Sequence, residues 1–358
     1  MTLPAPGCTA ILRPQPARTV AWQVLASLSA APVAALSFFR AVPAAWPTPV
    51  VQLLAFTPWL VLPAGLALVL AVPSRRVWAV VGTAALLAVQ LYWLFPQDYG
   101  RGTPDPGARL AELKVMSINA ELGNADAAEI VRLVRDNGIG LLTVQEHSQA
   151  LEDRLAAEGL ATLLPHRISH PVNGAAGSAV YSVHPMHLMG DLPDSQFQIP
   201  TVRIAMEAGG HTASLDVTNV HAQPPVDART ARWRGDLAAL GGLTDSPGNL
   251  LLMGDFNATY DHSEFRQLLA GGAGNAGRSG GAAGRKMVDV GVAEGSRLVP
   301  TWPMDGLPLP GIVIDHIVTS PQVRSSAYAV HPVAGTDHAA IMATLAVPEA
   351  PASPAMLP

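Results

Sequence analysis

Cysteine occurs once in the 358 residues, at Cys8, so no disulfide can close within the chain. Charge is scarce too: 14% of residues are Asp, Glu, Lys or Arg, against 49% hydrophobic, and mean hydropathy is positive at +0.27. So apolar a composition excludes a single ordinary soluble domain and implies a membrane part joined to a globular part. The charges divide the same way. Before position 101 stand five of the 22 basic residues (Arg13, Arg18, Arg40, Arg75, Arg76) and one of the 27 acids, Asp98. From Arg101 onward 17 basic and 26 acidic residues remain, a net of −9. Strong non-specific binding of nucleic acid is therefore not expected, since it depends on neutralising phosphates. A nuclease is not excluded, because a bound divalent cation would offset part of that charge.

Aromatic residues are few, at 5%, yet Trp22, Trp46, Trp78 and Trp93 lie near the ends of three uncharged runs, at 20–39, 50–72 and 77–95. Each run is about long enough to cross a hydrocarbon core of roughly 30 Å, and the tryptophans stand where interfacial belts form. A lipid bilayer is thus the first expected partner, contacted through three transmembrane helices. Arg13 and Arg18 precede the first run, and Arg75 and Arg76 fill the turn between the second and third. Placing both pairs inside leaves only Arg40 in the outer loop. A multi-pass plasma-membrane protein with everything after Phe95 extracytoplasmic follows. The expected organisation is a cytoplasmic tail at 1–19, membrane region at 20–95, linker at 96–112, globular domain at 113–347 and flexible tail at 348–358.

The globular part is organised around 249–259, Asn-Leu-Leu-Leu-Met-Gly-Asp-Phe-Asn-Ala-Thr. Its apolar run reads as a strand buried on both faces, and Asp255 and Asn257, two residues apart, point to one side of an extended chain. Taken alone, it reads equally well as a strand that ends in a polar turn. Other strands are expected at 113–119, 141–145, 177–182, 202–206, 213–220, 311–318 and 339–347. The two at 202–206 and 213–220 would flank a Gly209-Gly210 turn. Asn124 is expected to cap a helix that Gly138 stops, and a second helix lies near 151–160. A third buries Trp233, Leu237 and Leu240 while leaving Arg229, Arg232 and Arg234 to solvent. Ser263 is expected to cap a fourth, at 264–269. The stretch 271–284 is mostly Gly, Ala and Ser, a flexible loop.

Polar residues recur where these strands stop: Asn119, Glu146, His221, Asp255 with Asn257, Asp315, and Asp337 with His338. In order along the chain stand Asn119, Gln145-Glu146, Gly177-Ser178-Ala179-Val180-Tyr181-Ser182 with Pro185, Asn219-Val220-His221, Gly254-Asp255-Phe256-Asn257-Ala258, Thr301-Trp302, Ile314-Asp315-His316-Ile317 and Thr336-Asp337-His338. This series resembles the endonuclease/exonuclease/phosphatase superfamily, the fold of pancreatic deoxyribonuclease, apurinic endonucleases, inositol polyphosphate phosphatases and bacterial sphingomyelinases. The resemblance implies an α/β fold, a four-layer sandwich of two β-sheets flanked by helices, preceded here by the three transmembrane helices. It also implies a hydrolase acting on phosphoric ester bonds, with Mg²⁺ or Mn²⁺ as cofactor and Glu146, Asn119 and Asp337 as the metal residues. Asp255 and Asn257 would position and activate the water. His338, oriented by Asp315, would act on the phosphate or as acid/base, and His221 on phosphoryl oxygens or the leaving group. The resemblance leaves open which residue takes the water proton. The substrate is a phosphate ester, a diester or a monoester. The alternatives are a nuclease for extracellular nucleic acid and a catalytically silent binding domain. No basic or aromatic-rich insertion stands out that would grip a duplex.

Overall fold

The computed structural model describes residues 17–96, 109–208, 211–272, 285–306 and 310–349. Cys8, most of the linker, the Gly209-Gly210 turn, the glycine-rich stretch beyond Gly272 and the tail beyond Glu349 lie outside them. The chain divides into two compact units, Met1–Phe38 with Thr57–Pro96, and Phe39–Phe56 with Gln97–Pro358.

The first unit is helical. It contains α1 (Ala17–Ala41, which runs on into the second unit), and, beyond α2 (Thr48–Leu54, of the second unit), α3 (Val61–Ala71) and α4 (Val77–Leu94). Three stretches are long and apolar enough to cross a membrane: Arg18–Ala41, Thr57–Ser74 and Val77–Leu94. Polar side chains also tie these apolar helices to one another. Ser29 donates to the Pro63 carbonyl at 2.9 Å, and Gln90 Nε2 to Ser37 Oγ at 2.7 Å. The second apolar run differs from its expected extent. Its span begins at Thr57, and the residues expected to start it, from Val50, form α2 and pack within the other unit.

The second unit is built in the order β1 (Leu110–Asn119), α5 (Ala127–Asn137), β2 (Leu141–Gln145), α6 (Gln149–Ala157), α7 (Leu160–Leu163), β3 (His166–His170), β4 (Ser178–Ser182), β5 (Met186–Asp191), β6 (Pro200–Ala208) and β7 (His211–His221). There follow α8 (Thr230–Leu243), β8 (Asn249–Asp255), α9 (Ser263–Leu269), β9 (Val288–Asp289), α10 (Val290–Ala293), β10 (Asp315–Thr319), β11 (Arg324–Pro332) and β12 (Ala339–Pro348). They form two six-stranded sheets, ordered β11-β12-β1-β2-β4-β3 and β5-β6-β7-β8-β10-β9. This is the deoxyribonuclease-I-like sandwich.

Strand alternation explains the four layers. Along β8, Leu251 and Met253 face the first sheet and join Val115, Leu141 and Ile341 in one apolar cluster. Leu250 and Leu252 face the other way, against Trp233, Leu237 and Leu240 of α8 and Phe265 of α9. In the first sheet Met116, Ile118, Leu142 and Val144 likewise meet Ile130, Val131 and Val134 of α5. Three helix details depart from expectation. Asp126, not Asn124, caps α5 by accepting from Glu129 N, because the chain first turns through Asn124 onto Ala120. Ser263 is the first residue of α9 and gives no side-chain cap. Arg234 is half-buried, its Nε bonded to Glu264 at 3.0 Å and its Nη2 to the Trp46 carbonyl, so it is not a free surface charge.

A polar clasp joins the sheets near one end. Asn219 Oδ1 accepts from Gln145 Nε2 at 2.6 Å, and Asn219 Nδ2 donates to Ser178 Oγ at 2.8 Å and the Val144 carbonyl at 3.0 Å. Beside it the backbones crowd. A Cβ on Gly254, whose φ is +141°, would stand 2.1 Å from the Val220 carbonyl oxygen. Gly254→Ala should therefore cost more than the ~1–3 kcal/mol of an unfavourable backbone conformation alone. Thermal unfolding of the purified protein checks this, and the melting temperature is expected to fall by several degrees.

Candidate active site

Strand direction decides where the polar residues meet. β1 and β2 are parallel, as are β7 and β8, so Asn119, Glu146, His221 and Asp255 leave the sheets together at the strands' C-terminal ends. β10 runs antiparallel to β8 and β12 antiparallel to β1, which brings the starts of β10 and β12 to the same end. Asp315 opens β10 directly opposite Asp255. Asp337 and His338 immediately precede β12.

Asp255 is the hub. Its Oδ2 accepts from Asn119 Nδ2 at 3.1 Å and Asn257 Nδ2 at 3.2 Å, and its Oδ1 accepts from Asn257 N at 2.8 Å. His338 Nε2 and His221 Nε2 stand 3.8 and 3.9 Å from the same Oδ2. His338 Nδ1 donates to Asp315 Oδ2 at 3.0 Å, and its Nε2 lies 3.7 Å from Asp337 Oδ1. Glu146 Oε2 accepts from Leu122 N at 2.7 Å, while its Oε1 meets Asn119 Nδ2 at 3.3 Å and lies 3.6 Å from His221 Nε2. All eight side chains picked out in the sequence thus form one connected cluster. Glu146 and Asn257 occupy left-handed backbone positions, φ 53° and 47°, uncommon outside glycine. The Leu122 bond holds the first, and a bond from Asn257 Nδ2 to the Ala222 carbonyl at 2.9 Å holds the second.

Burial and neighbours separate the titrating groups. Burial, helped by the positive charge of His338, pushes His221 down to about 3, so its imidazole is neutral. For His338 burial works the other way from its carboxylates, but Asp315, Asp255 and Asp337 outweigh it and raise the imidazole to about 10. Burial pushes Asp255 up to about 7 against the pull of His338, with Asp315 adding to the rise. Among the described residues no Arg or Lys pairs with Glu146, Asp255, Asp315 or Asp337, and the His338 imidazolium lies beside the last three.

That excess of oxygen donors and negative charge suits a hard divalent cation, and the residues fit one. Asp255, Asp315 and His338 offer ligand atoms within 4.8 Å of one another. Asp315 is already committed to His338 Nδ1, however, and a protonated imidazole cannot ligate. Glu146 and Asp337 are the more open carboxylates, with side chains 17% and 27% exposed against 2% and 3% for Asp255 and Asp315.

Several contributors carried no role in the sequence reading. Trp302 Nε1 donates to Asp337 Oδ2 at 2.7 Å, and Glu121 Oε2 accepts from Asp337 N at 2.9 Å. Burial and then Asp337 raise the Glu121 carboxyl. Phe197 stacks on the His221 ring with centroids 4.3 Å apart. Trp302 was visible as part of the Thr301-Trp302 motif. Glu121 and Phe197 lie in loops whose sequence carries no periodic signal.

The fold and this cluster define the class: a deoxyribonuclease-I-like sandwich with a carboxylate and histidine site at one end. Residues 116–338 match the Endonuclease/Exonuclease/phosphatase family model, and the chain belongs to that family. A search of curated protein sequences finds no significant match. Similar solved structures include an AP endonuclease from Archaeoglobus fulgidus, 15% identical over 64% of this chain and 98% of that one, TM-score 0.48. D. rerio TDP2 complexed with single strand DNA product is 14% identical over 66% and 99%, TM-score 0.47. Sphingomyelinase C from Streptomyces griseocarneus is 17% identical over 65% and 99%, TM-score 0.43.

A raised histidine pKa contributes stability that is full below the unfolded value of 6.5 and lost as pH rises through about 10. In metal-free protein, Asp315→Asn should bring His338 down toward the ordinary histidine range, as read by NMR titration of its ring protons. The wild-type loss of stability between neutral and alkaline pH should shrink in that variant.

Proposed function

We propose that the chain is a membrane-anchored, divalent-metal-dependent phosphoesterase that hydrolyses a phosphate ester by in-line attack of water. The observation that carries this reading is the Asp255 hub, a buried carboxylate within reach of two imidazoles and two carboxamides. Glu146, Asn119 and Asp337 would hold Mg²⁺ or Mn²⁺. When bound, the cation supplies positive charge to the non-bridging phosphate oxygens and to the leaving oxygen.

The chain's own groups do the rest. Asp255, raised toward neutrality, takes the water proton, and Asn119 and Asn257 fix the direction of its carboxylate. His338, kept charged and oriented by Asp315, faces the phosphoryl oxygens with Nε2 and stabilises the charge that develops there. Neutral His221, held flat against Phe197, donates a hydrogen bond to the phosphate or the leaving group. Trp302 fixes Asp337. A phosphodiester of modest size suits the net of −9 from Arg101 onward better than a long polyanion does.

The full-length protein in detergent is expected to hydrolyse bis(p-nitrophenyl) phosphate with Mg²⁺ or Mn²⁺ and to stop in EDTA. Glu146→Ala and His338→Ala should each lower kcat/KM on the order of thousands-fold. Turnover indifferent to chelation, or wild-type rates in both variants, overturns the reading. The basic residues flanking the apolar runs support an orientation with the catalytic unit outside the cell. Protease added to intact cells should accordingly degrade it, and protection until lysis would reverse that orientation.

A further inference from the structure

The segment Phe39–Phe56, which links the first two candidate spans, belongs with the catalytic unit. Val51 is 1% exposed and shares an apolar cluster with Trp233, Phe256 and Phe265, against which Trp46 also packs. Apolar cover alone makes a segment part of the fold. The polar ties say where it acts, because they go to the two loops that leave the central catalytic strands.

The first loop follows His221. Thr48 Oγ1 meets Thr230 Oγ1 at 2.7 Å and donates to the Asp227 carbonyl at 3.2 Å, and Gln52 Nε2 donates to the Pro225 carbonyl at 3.2 Å. The second follows Asp255 and carries Asn257. There a buried imidazole spans the gap. Thr259 N donates to His262 Nδ1 at 2.8 Å, so the ring proton is on Nε2, which donates to the Val51 carbonyl at 2.9 Å. One residue earlier, Asp261 accepts from Arg40 Nε at 2.7 Å and from Arg297 Nη2 at 2.8 Å, and Arg266 Nη2 returns a bond to the Arg40 carbonyl at 3.0 Å. The two loops are tied to each other at the reacting centre, Ala222 N to the Asp255 carbonyl at 3.0 Å and Asn257 Nδ2 to the Ala222 carbonyl at 2.9 Å.

The geometry points to Phe39–Phe56 as a positioning element of the active site, clamping the loops that set His221 and Asn257 around Asp255. The inference rests on the phosphoesterase reading for its kinetic consequence and on the bonds above for its structural one. It makes the inter-span segment a support for the two loops that carry the site, continuous in sequence with a candidate span on either side. Any catalytic fragment that starts after the third span would lack this part.

Two variants test it in the full-length protein in detergent. Thr48→Val with Gln52→Met removes the ties to the first loop while keeping side-chain bulk. His262→Asn keeps an acceptor for Thr259 N but cannot reach Val51. Against bis(p-nitrophenyl) phosphate with Mg²⁺, each should lower kcat about tenfold or more with KM changed by no more than about twofold, and Thr48→Ser alone should retain wild-type kcat. Hydrogen exchange should quicken at 226–230 in the first variant and at 257–263 in the second. Wild-type kcat in both folded variants, or unchanged exchange at both loops, overturns the inference. If one variant does not fold, the other decides. An inactive wild type would count against the phosphoesterase reading alone, since the exchange measurement needs no turnover.

Discussion

Everything at the candidate site depends on the carboxylate of Asp255 being taken out of water at 2% exposure and still kept in good order. An isolated buried charge there would be prohibitively costly. Two carboxamides and one backbone N–H satisfy its oxygens, and the imidazolium of His338 offsets its charge. Asp315 in turn keeps that imidazolium charged, although burial favours the neutral form. Removing any member leaves another exposed to the same penalty, so the cluster holds together as a unit.

Such a cluster needs two sheets that do not slide. The Gln145–Asn219–Ser178 clasp lies just behind it and joins the ends of β2, β4 and β7. Gly254 lets β8 approach the Val220 carbonyl where a side chain would hold it away. The apolar clusters on either face of β8 supply most of the burial, and they tolerate sliding far better than these directional contacts do. The outer loops then depend on a segment distant in sequence, at Arg40 to Gln52.

The central strands were legible because burial on both faces leaves apolar-rich runs, as at Leu250–Met253 of β8, and Leu141–Gln145 matched its expected extent. The strands not anticipated, β3, β5, β9 and β11, are the four sheet edges. His166–His170 and Met186–Asp191 are half or wholly exposed, so neither alternation nor an apolar run marks them. The eight residues of the cluster were legible for a different reason. A strand that ends in a polar residue of defined type is local information, and the ordered series of such ends carried the family resemblance. Glu121, Phe197 and the partners of Asp261 were not, because each acts through a contact with a chain segment remote in sequence.

By itself the sequence determined the split between apolar and acidic parts, the buried strands and the residue types at their ends. These follow from side-chain hydrophobicity and from short-range periodicity, which each residue carries with it wherever it goes. Only the tertiary structure decided that the residues from Val50 to Phe56 belong with the globular unit, with Val51 in its apolar cluster, since an apolar side chain gains alike from protein and from lipid. It also decided which carboxylate is deep and which is open, and so which imidazole is charged, because pKa depends on burial and on neighbours that the chain brings together only once it is folded.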